Sequence, residues 1–274
     1  MVVDVDRTGQ QFGNYRLVQL LRRGNFSKVY LGEHISHHTR AAIKVLTSQL
    51  PSDEVALLMT QIQVIAHLRH PHIMPILDFG IEDNTPFLIM NYAPKGNLRQ
   101  QHPKGTRLPL STVIYYVKQI ANALQYVHNQ KLIHRDIKPH NMLLGPNDEI
   151  LLSDFSIAVE SQNLDRILED FEGTIPYTAP EQLQGMPCIA SDQYSLGIVV
   201  YEWLTGAWPF RGSLNEMVHQ HLLTPPPSLR EKDPTISAAV EQVVLKALAK
   251  EPGQRFAGIQ KFARALERAS TASA

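Results

Sequence analysis

Over the first hundred residues apolar and polar positions alternate with a period of two, the pattern of half-buried strands. Residues 15–22 and 28–34 flank Gly24-Asn25 and predict a β-hairpin. A third strand is expected over 39–46, through Ala41-Ala42-Ile43-Lys44-Val45-Leu46, and two more over 73–79 and 86–92, joined by the polar turn Glu82-Asp83-Asn84. One helix interrupts them. Ser52 suits its N-cap, and Asp53 and Glu54 fall in the first turn, where the backbone dipole favours acids. It should stop near Leu68, ahead of Pro71.

Beyond Ala93-Pro94-Lys95-Gly96 the spacing changes to that of helices. Val113, Val117, Ile120, Leu124 and Val127 recur at three and four, with Ser111 as the expected cap. Asp192 opens a second, strongly apolar helix over 193–204; three more are expected over 213–223, 237–250 and 258–269. Pro225-Pro226-Pro227 is a stiff connector. The expected fold is therefore α+β and bilobal. A five-stranded antiparallel N-lobe with one helix (about 15–92) precedes a mainly helical C-lobe (about 95–268), with a hinge near 91–96. Residues 1–14 read as an N-terminal extension and 269–274 as a tail.

Composition narrows the partners. The 274 residues carry 26 Lys+Arg and 26 Asp+Glu, so no general attraction to nucleic acid or anionic membrane is expected. A single cysteine, Cys188, excludes an internal disulfide and fits a reducing compartment. Residues 1–14 lack the apolar core of a signal peptide, and the longest apolar run, 196–208, is short for a bilayer and contains Glu202. The expectation is a cytoplasmic protein without a membrane segment.

Chemistry concentrates in His134-Arg135-Asp136-Ile137-Lys138-Pro139-His140-Asn141, followed thirteen residues after Asn141 by Asp154-Phe155-Ser156. Asp136 suits a base for a hydroxyl nucleophile, and Lys138 a counter-charge for a phosphoryl group in transfer. Asn141 and Asp154 offer the oxygen ligands that suit Mg²⁺. A lone His-Arg-Asp would be a solvated turn; the full octet with Asp-Phe behind it resembles the catalytic loop of protein kinases. Ala41-Ala42-Ile43-Lys44, ninety-two residues before Asp136, is similar to the strand that carries that family's phosphate-gripping lysine. Gly173-Thr174-Ile175-Pro176-Tyr177-Thr178-Ala179-Pro180-Glu181 is similar to the end of its activation segment. The resemblance covers residues 15–268 and is closest to bacterial serine/threonine kinases of the eukaryotic type.

That resemblance implies an ATP- and Mg²⁺-dependent enzyme acting on Ser or Thr of protein substrates. It assigns the adenine pocket to Leu21, Val29, Ala42 and Leu143, with Met90 behind and the backbone of Asn91 and Ala93 at the adenine edge. Gly24 would approach the phosphates. It pairs Glu181 with Arg255, has Asp192 hold the catalytic-loop backbone, sets Thr174 against Asp136 and Lys138, and gives Arg135 a partner in the activation segment. His134 becomes a packed residue beside Phe155 and Ile65, and His67, His70 and His72 mark a turn after the N-lobe helix, not a metal site. Related kinases often continue into a membrane span and an external sensor. Neither follows here, which points to a soluble regulatory partner or a longer product.

Four positions depart from the family pattern. The glycine-rich loop reads Arg22-Arg23-Gly24-Asn25-Phe26-Ser27, keeping only the middle glycine. The helix glutamate expected to pair with Lys44 is Gln61; Glu54 lies seven residues earlier, about 10.5 Å along a helix axis, too far to replace it. Ser156 stands where the family has glycine, and His140 where glutamate is common. Glu169, Asp170 and Glu172 are candidates to pair with Arg135 in place of a phosphate. The expectation is a kinase of reduced activity. Its rivals are a nucleotide-binding pseudokinase scaffold and a small-molecule phosphotransferase, the latter opposed by the protein-substrate platform of 173–181.

Overall fold

The computed structural model describes residues 6–24, 27–46, 52–155 and 174–271. They form two compact units. The first comprises the described residues up to Arg69 with Met74–Pro94, and the second His70–Ile73 with the described residues from Lys95 onward.

The first unit is an antiparallel sheet of strands β1 (Gln11–Phe12), β2 (Tyr15–Arg23), β3 (Ser27–His34), β4 (Arg40–Leu46), β5 (Ile76–Glu82) and β6 (Thr85–Asn91), in the order β1-β2-β3-β4-β6-β5. It has six strands where five were expected. The extra one forms because Gly13, at φ 54°, folds Phe12 back onto Tyr15 and buries its ring edge-on against Phe87. Two residues are too few to show alternation, so Gln11 and Phe12 read as part of the 1–14 extension although they belong to the sheet. Tyr30, Ile43, Val45 and Ile89 fill one face with Phe12 and Leu17. Each such buried side chain contributes about 1.5–3 kcal/mol. Gly32 leaves the room this packing needs, since a Cβ there would lie 2.3 Å from Ile43 Cδ1.

The opposite face carries Lys44 across from Val29, and Ala42 across from Met90. Helix α1 (Ser52–Ala66) covers part of that face, with Leu58 and Ile62 packed on Leu46 and Leu88. The β5–β6 turn is Asp83-Asn84, both at positive φ, as a two-residue hairpin demands. Strand β5 starts three residues later than expected, because Ile73 is committed to a bridge with Leu152 in the second unit.

The second unit is helical. It contains α2 (Leu98–Gln101), α3 (Leu110–Asn129), the hairpin β7 (Met142–Leu144) and β8 (Ile150–Leu152), α4 (Pro180–Leu183), α5 (Ile189–Thr205), α6 (Leu214–Leu223), α7 (Leu229–Lys232), α8 (Ala238–Ala247) and α9 (Ile259–Thr271). Every residue of α5 from Ser191 to Thr205 is buried, and α3 and α9 pack against it. The five periodic residues of α3 are wholly buried. Its cap is Pro109 and not Ser111, because Leu110 and Ser111 already lie in the first turn. Asp192 likewise sits inside the first turn of α5, not before it. The α+β expectation is borne out, and no helix among the described residues is long and apolar enough to cross a membrane.

Candidate active site

After α3 the chain runs without regular structure from residue 132 to 138, then makes a 3₁₀ turn, Pro139–Asn141, before entering β7. Such a loop needs external partners for its backbone, and Asp192 supplies them. Its buried carboxylate accepts from His134 N (2.9 Å), Arg135 N (2.8 Å) and His128 Nε2 (2.7 Å). His134 is fully buried; its Nδ1 accepts from Asp136 N, so Nε2 carries the hydrogen that reaches Ser153 O. Burial pushes its pKa below the usual value against the pull of Asp192 and Asp136, and its ring packs on Phe155 at 4.5 Å. Ile65 packs within the first unit. Arg135 and Asp154 both hold positive φ (68° and 55°), a conformation that costs non-glycine residues about 1 kcal/mol or more and collects at functional sites.

The loop brings four side chains together. Lys138 Nζ lies 3.0 Å from Asp136 Oδ1 and donates to Thr174 Oγ1 at 2.6 Å. Asn141 Nδ2 donates to Asp136 Oδ2 at 2.7 Å and to Asp136 O at 2.9 Å. Lys138 is 3% exposed and Asp136 19%, so the carboxylate is reachable while its partners are held. Two acceptors on one nitrogen fix the Asn141 amide orientation. Its Oδ1 is then left buried without a hydrogen-bond partner. An inward-facing neutral oxygen of that kind fits a hard cation such as Mg²⁺. Ser153 N bonds Asn141 O, which ties the segment leading to Asp154 to the same turn.

In the first unit Lys44, Val29, Ala42 and Met90 share one sheet face, as described. Leu21 sits at a bulge of β2 and is 39% exposed; Arg22 is a strand residue paired with Val29. Gly24 N bonds Ser27 O, and a Cβ at Gly24 would crowd that carbonyl at 3.2 Å. Asn91 N donates to Pro75 O, so that N–H is not the group a ligand would meet; Ala93 follows in the loop. The expected neutral hydrogen bond from Lys44 to Gln61 Oε1 is not made, for that oxygen is buried and accepts nothing. Leu143 lies in β7 of the second unit. His67 Nδ1 bonds Gln63 O, and His72 Nδ1 bonds Ile150 O. Asn25, Phe26, Ser156, Gly173 and the carboxylates of Glu169, Asp170 and Glu172 lie outside the described residues.

Glu181 and Arg255 form a buried two-point ion pair, Oε1–Nη1 2.7 Å and Oε2–Nη2 2.8 Å, with Ser191 Oγ on the same carboxylate. Burial alone would raise the Glu181 pKa; the Arg255 bonds and charge, with Ser191, more than offset it. A second buried cluster escaped the sequence reading. Arg99 Nη2 meets both Glu202 oxygens (2.7 and 2.8 Å), Tyr177 OH donates to Glu202 Oε2 (2.6 Å), and Trp208 Nε1 donates to Tyr177 OH (3.0 Å). Its one signal was Glu202 inside an otherwise apolar run.

Comparison with known proteins agrees with this geometry. The family model of the protein kinase domain matches residues 15–266. The serine/threonine-protein kinase Pkn1 of Myxococcus xanthus is 35% identical over 94% of this chain and 38% of its own length. PrkC of Bacillus subtilis is 32% identical over 89% of this chain and 38% of its own length. PknJ of Mycobacterium bovis is 34% identical over 94% and 45%. The chain thus spans about two fifths of the length of the curated relatives it matches. It belongs to the protein kinase domain family.

Proposed function

We propose that this chain is a serine/threonine protein kinase domain that transfers the γ-phosphate of ATP to Ser or Thr hydroxyls of proteins. The observation that carries the reading is the loop in which Asp136 binds both Lys138 and Asn141, with Thr174 on the Lys138 ammonium. Asp136 takes the proton of the attacking hydroxyl as its oxygen bonds the γ-phosphorus and the bond from that phosphorus to the β,γ-bridging oxygen breaks, with ADP as the leaving group. Lys138, already buried beside it, offsets charge on the transferred group, and Thr174 positions the ammonium. Bound Mg²⁺, for which Asn141 Oδ1 and Asp154 are the ligands we assign, would screen the phosphates. Lys44 and Gly24 are assigned to the phosphates of ATP. Leu21, Val29, Ala42, Met90, Leu143 and the backbone of Asn91 and Ala93 are assigned to its base. We place Arg135, Asp192, Glu181 and Arg255 in support of the loop, and the domain in the cytoplasm, which the single cysteine fits.

Gln61 supports a reduced turnover, since its Oε1 does not engage Lys44. The pseudokinase alternative draws on the same residue. Incubating the chain with labelled ATP, Mg²⁺ and a Ser/Thr protein substrate, beside Asp136→Asn, decides between them. Loss of about 10²–10⁴-fold in the variant is expected for removal of a general base. Equal labelling of the two, or none by either, would remove the catalytic reading.

A further inference from the structure

A pocket of about 500 Å³ opens on the second unit, within the size range of ligand sites. Trp208, Met217, Pro176 and Ala207 give it an apolar lining, and Lys104, Arg211 and Glu202 are its charged residues. Glu202 is already saturated by Arg99 and Tyr177. The other nearby carboxylate, Glu216, caps Ser213 through its N and Oγ, both at 2.7 Å. Lys104 Nζ lies 4.5 Å above the Trp208 ring, and neither it nor Arg211 makes an ion pair among the described residues. The bond from Trp208 Nε1 to Tyr177 fixes the indole that Lys104 covers. Two exposed cations over an apolar floor call for an anionic group on a carbon stem.

The location suits a substrate. Pro176 follows Thr174 by two residues, at most about 7 Å of chain, and Thr174 holds the lysine that touches Asp136. A pocket of this width beyond Pro176 is reached by a side chain about two to four residues from a hydroxyl at Asp136. We propose that this pocket is a specificity subsite for an acidic side chain of the protein substrate, with Lys104 and Arg211 as its recognising cations and Trp208 as the platform. The assignment rests on the kinase reading above and names the substrate class of that site.

Peptides centred on one serine, with Glu or Lys placed in turn at each position from four before it to four after, test this on the full chain. The quantity read is the ratio of kcat/KM for the Glu peptide to that for the Lys peptide. It is taken within each variant, so changes in overall turnover cancel. We expect wild type to favour Glu by about fivefold to twentyfold at one or two positions, the scale of two exposed charge contacts. Lys104→Glu/Arg211→Glu should bring the ratio below one. The same ratio in both proteins, or no preference in wild type, overturns the subsite. Fluorescence anisotropy of the labelled peptides is the second arm and reads the pocket whether or not phosphate is transferred. Charge-selective binding that reverses in the variant, without transfer to any peptide, would sink the catalytic reading and leave the subsite standing.

Discussion

At Gln61 the proposed turnover is expected to hang on a single residue. This residue lies on α1, whose Leu58 and Ile62 pack on the sheet face that carries Lys44, yet its Oε1 is buried and bonded to nothing. A glutamate there would put a charged acceptor on the face that carries Lys44 where the amide oxygen now bonds nothing, a difference of about 1–2 kcal/mol. Gln61→Glu is therefore expected to raise kcat/KM about fivefold to thirtyfold. Steady-state assays at fixed Mg²⁺ measure it, and an unchanged or lower value would show that this helix position does not serve Lys44. Asp192 is the opposite case, a residue whose work is done. It accepts three hydrogen bonds while fully buried, two of them from the backbone of His134 and Arg135. Asp192→Asn turns one acceptor into a donor facing donors and should destabilise the loop by about 1–3 kcal/mol. Its urea midpoint should fall together with activity; lost activity at an unshifted midpoint would mean that Asp192 acts elsewhere.

Among elements, the Glu181–Arg255 pair joins the short helix α4 to the turn after α8, segments seventy-four residues apart. Both side chains are nearly inaccessible (8% and 0% exposed), so removing one strands the other charge in the interior. Arg255→Met alone should cost about 3–5 kcal/mol in urea denaturation, and Glu181→Leu/Arg255→Met should recover much of it, because two apolar residues need no desolvated partner. A double variant no more stable than the single one would show that the carbonyl contacts of Arg255 to Ala190, Ala249 and Lys250, not the pair, hold this junction. The long elements were legible in the sequence, since periodicity alone located α3, α5 and most of the sheet. What escaped was what periodicity does not encode. Strand β1 has two residues, α2, α4 and α7 have four each, and β5 slid because a distant bridge claimed Ile73. The loop of Asp136, Lys138 and Asn141 stood out for a different reason: its residue types suit phosphoryl transfer and its string resembles a kinase loop, and the structure brings the three side chains within bonding distance. The Arg99–Glu202–Tyr177 cluster was not, because it unites three segments up to 103 residues apart and only Glu202 looked out of place.

For the whole molecule, acid should be the weak direction, and the residue that sets the onset lies far from the catalytic loop in sequence. His221 is fully buried, shares a hydrogen bond between its Nδ1 and Tyr194 OH (3.0 Å) and packs against the Phe210 ring. Burial, helped by the nearby Lys250 charge, lowers its pKa from 6.5 to about 3. The folded state thus binds its proton later than the unfolded chain does. Its contribution is complete above about pH 6.5 and is lost as pH falls towards 3, at about 1.4 kcal/mol per pH unit within that window. His134 is shifted the same way by burial, whereas Glu181 adds its loss only below its unfolded value of 4.5, because its folded pKa is the lower one. Between pH 6.5 and 4.5 the slope therefore belongs mainly to buried imidazoles. His221→Asn keeps a hydrogen-bonding group, able to donate or accept, beside Tyr194 OH and removes the titration. Both tryptophans, Trp203 and Trp208, lie in the second unit, so their fluorescence follows the unfolding of the unit that holds His221. Urea midpoints at pH 5 and pH 7 should separate clearly in wild type and by less in His221→Asn, a difference close to one proton. Equal slopes in the two proteins would mean that His221 is protonated in the folded state at pH 5, and that the Tyr194–His221 contact opens well before the core does.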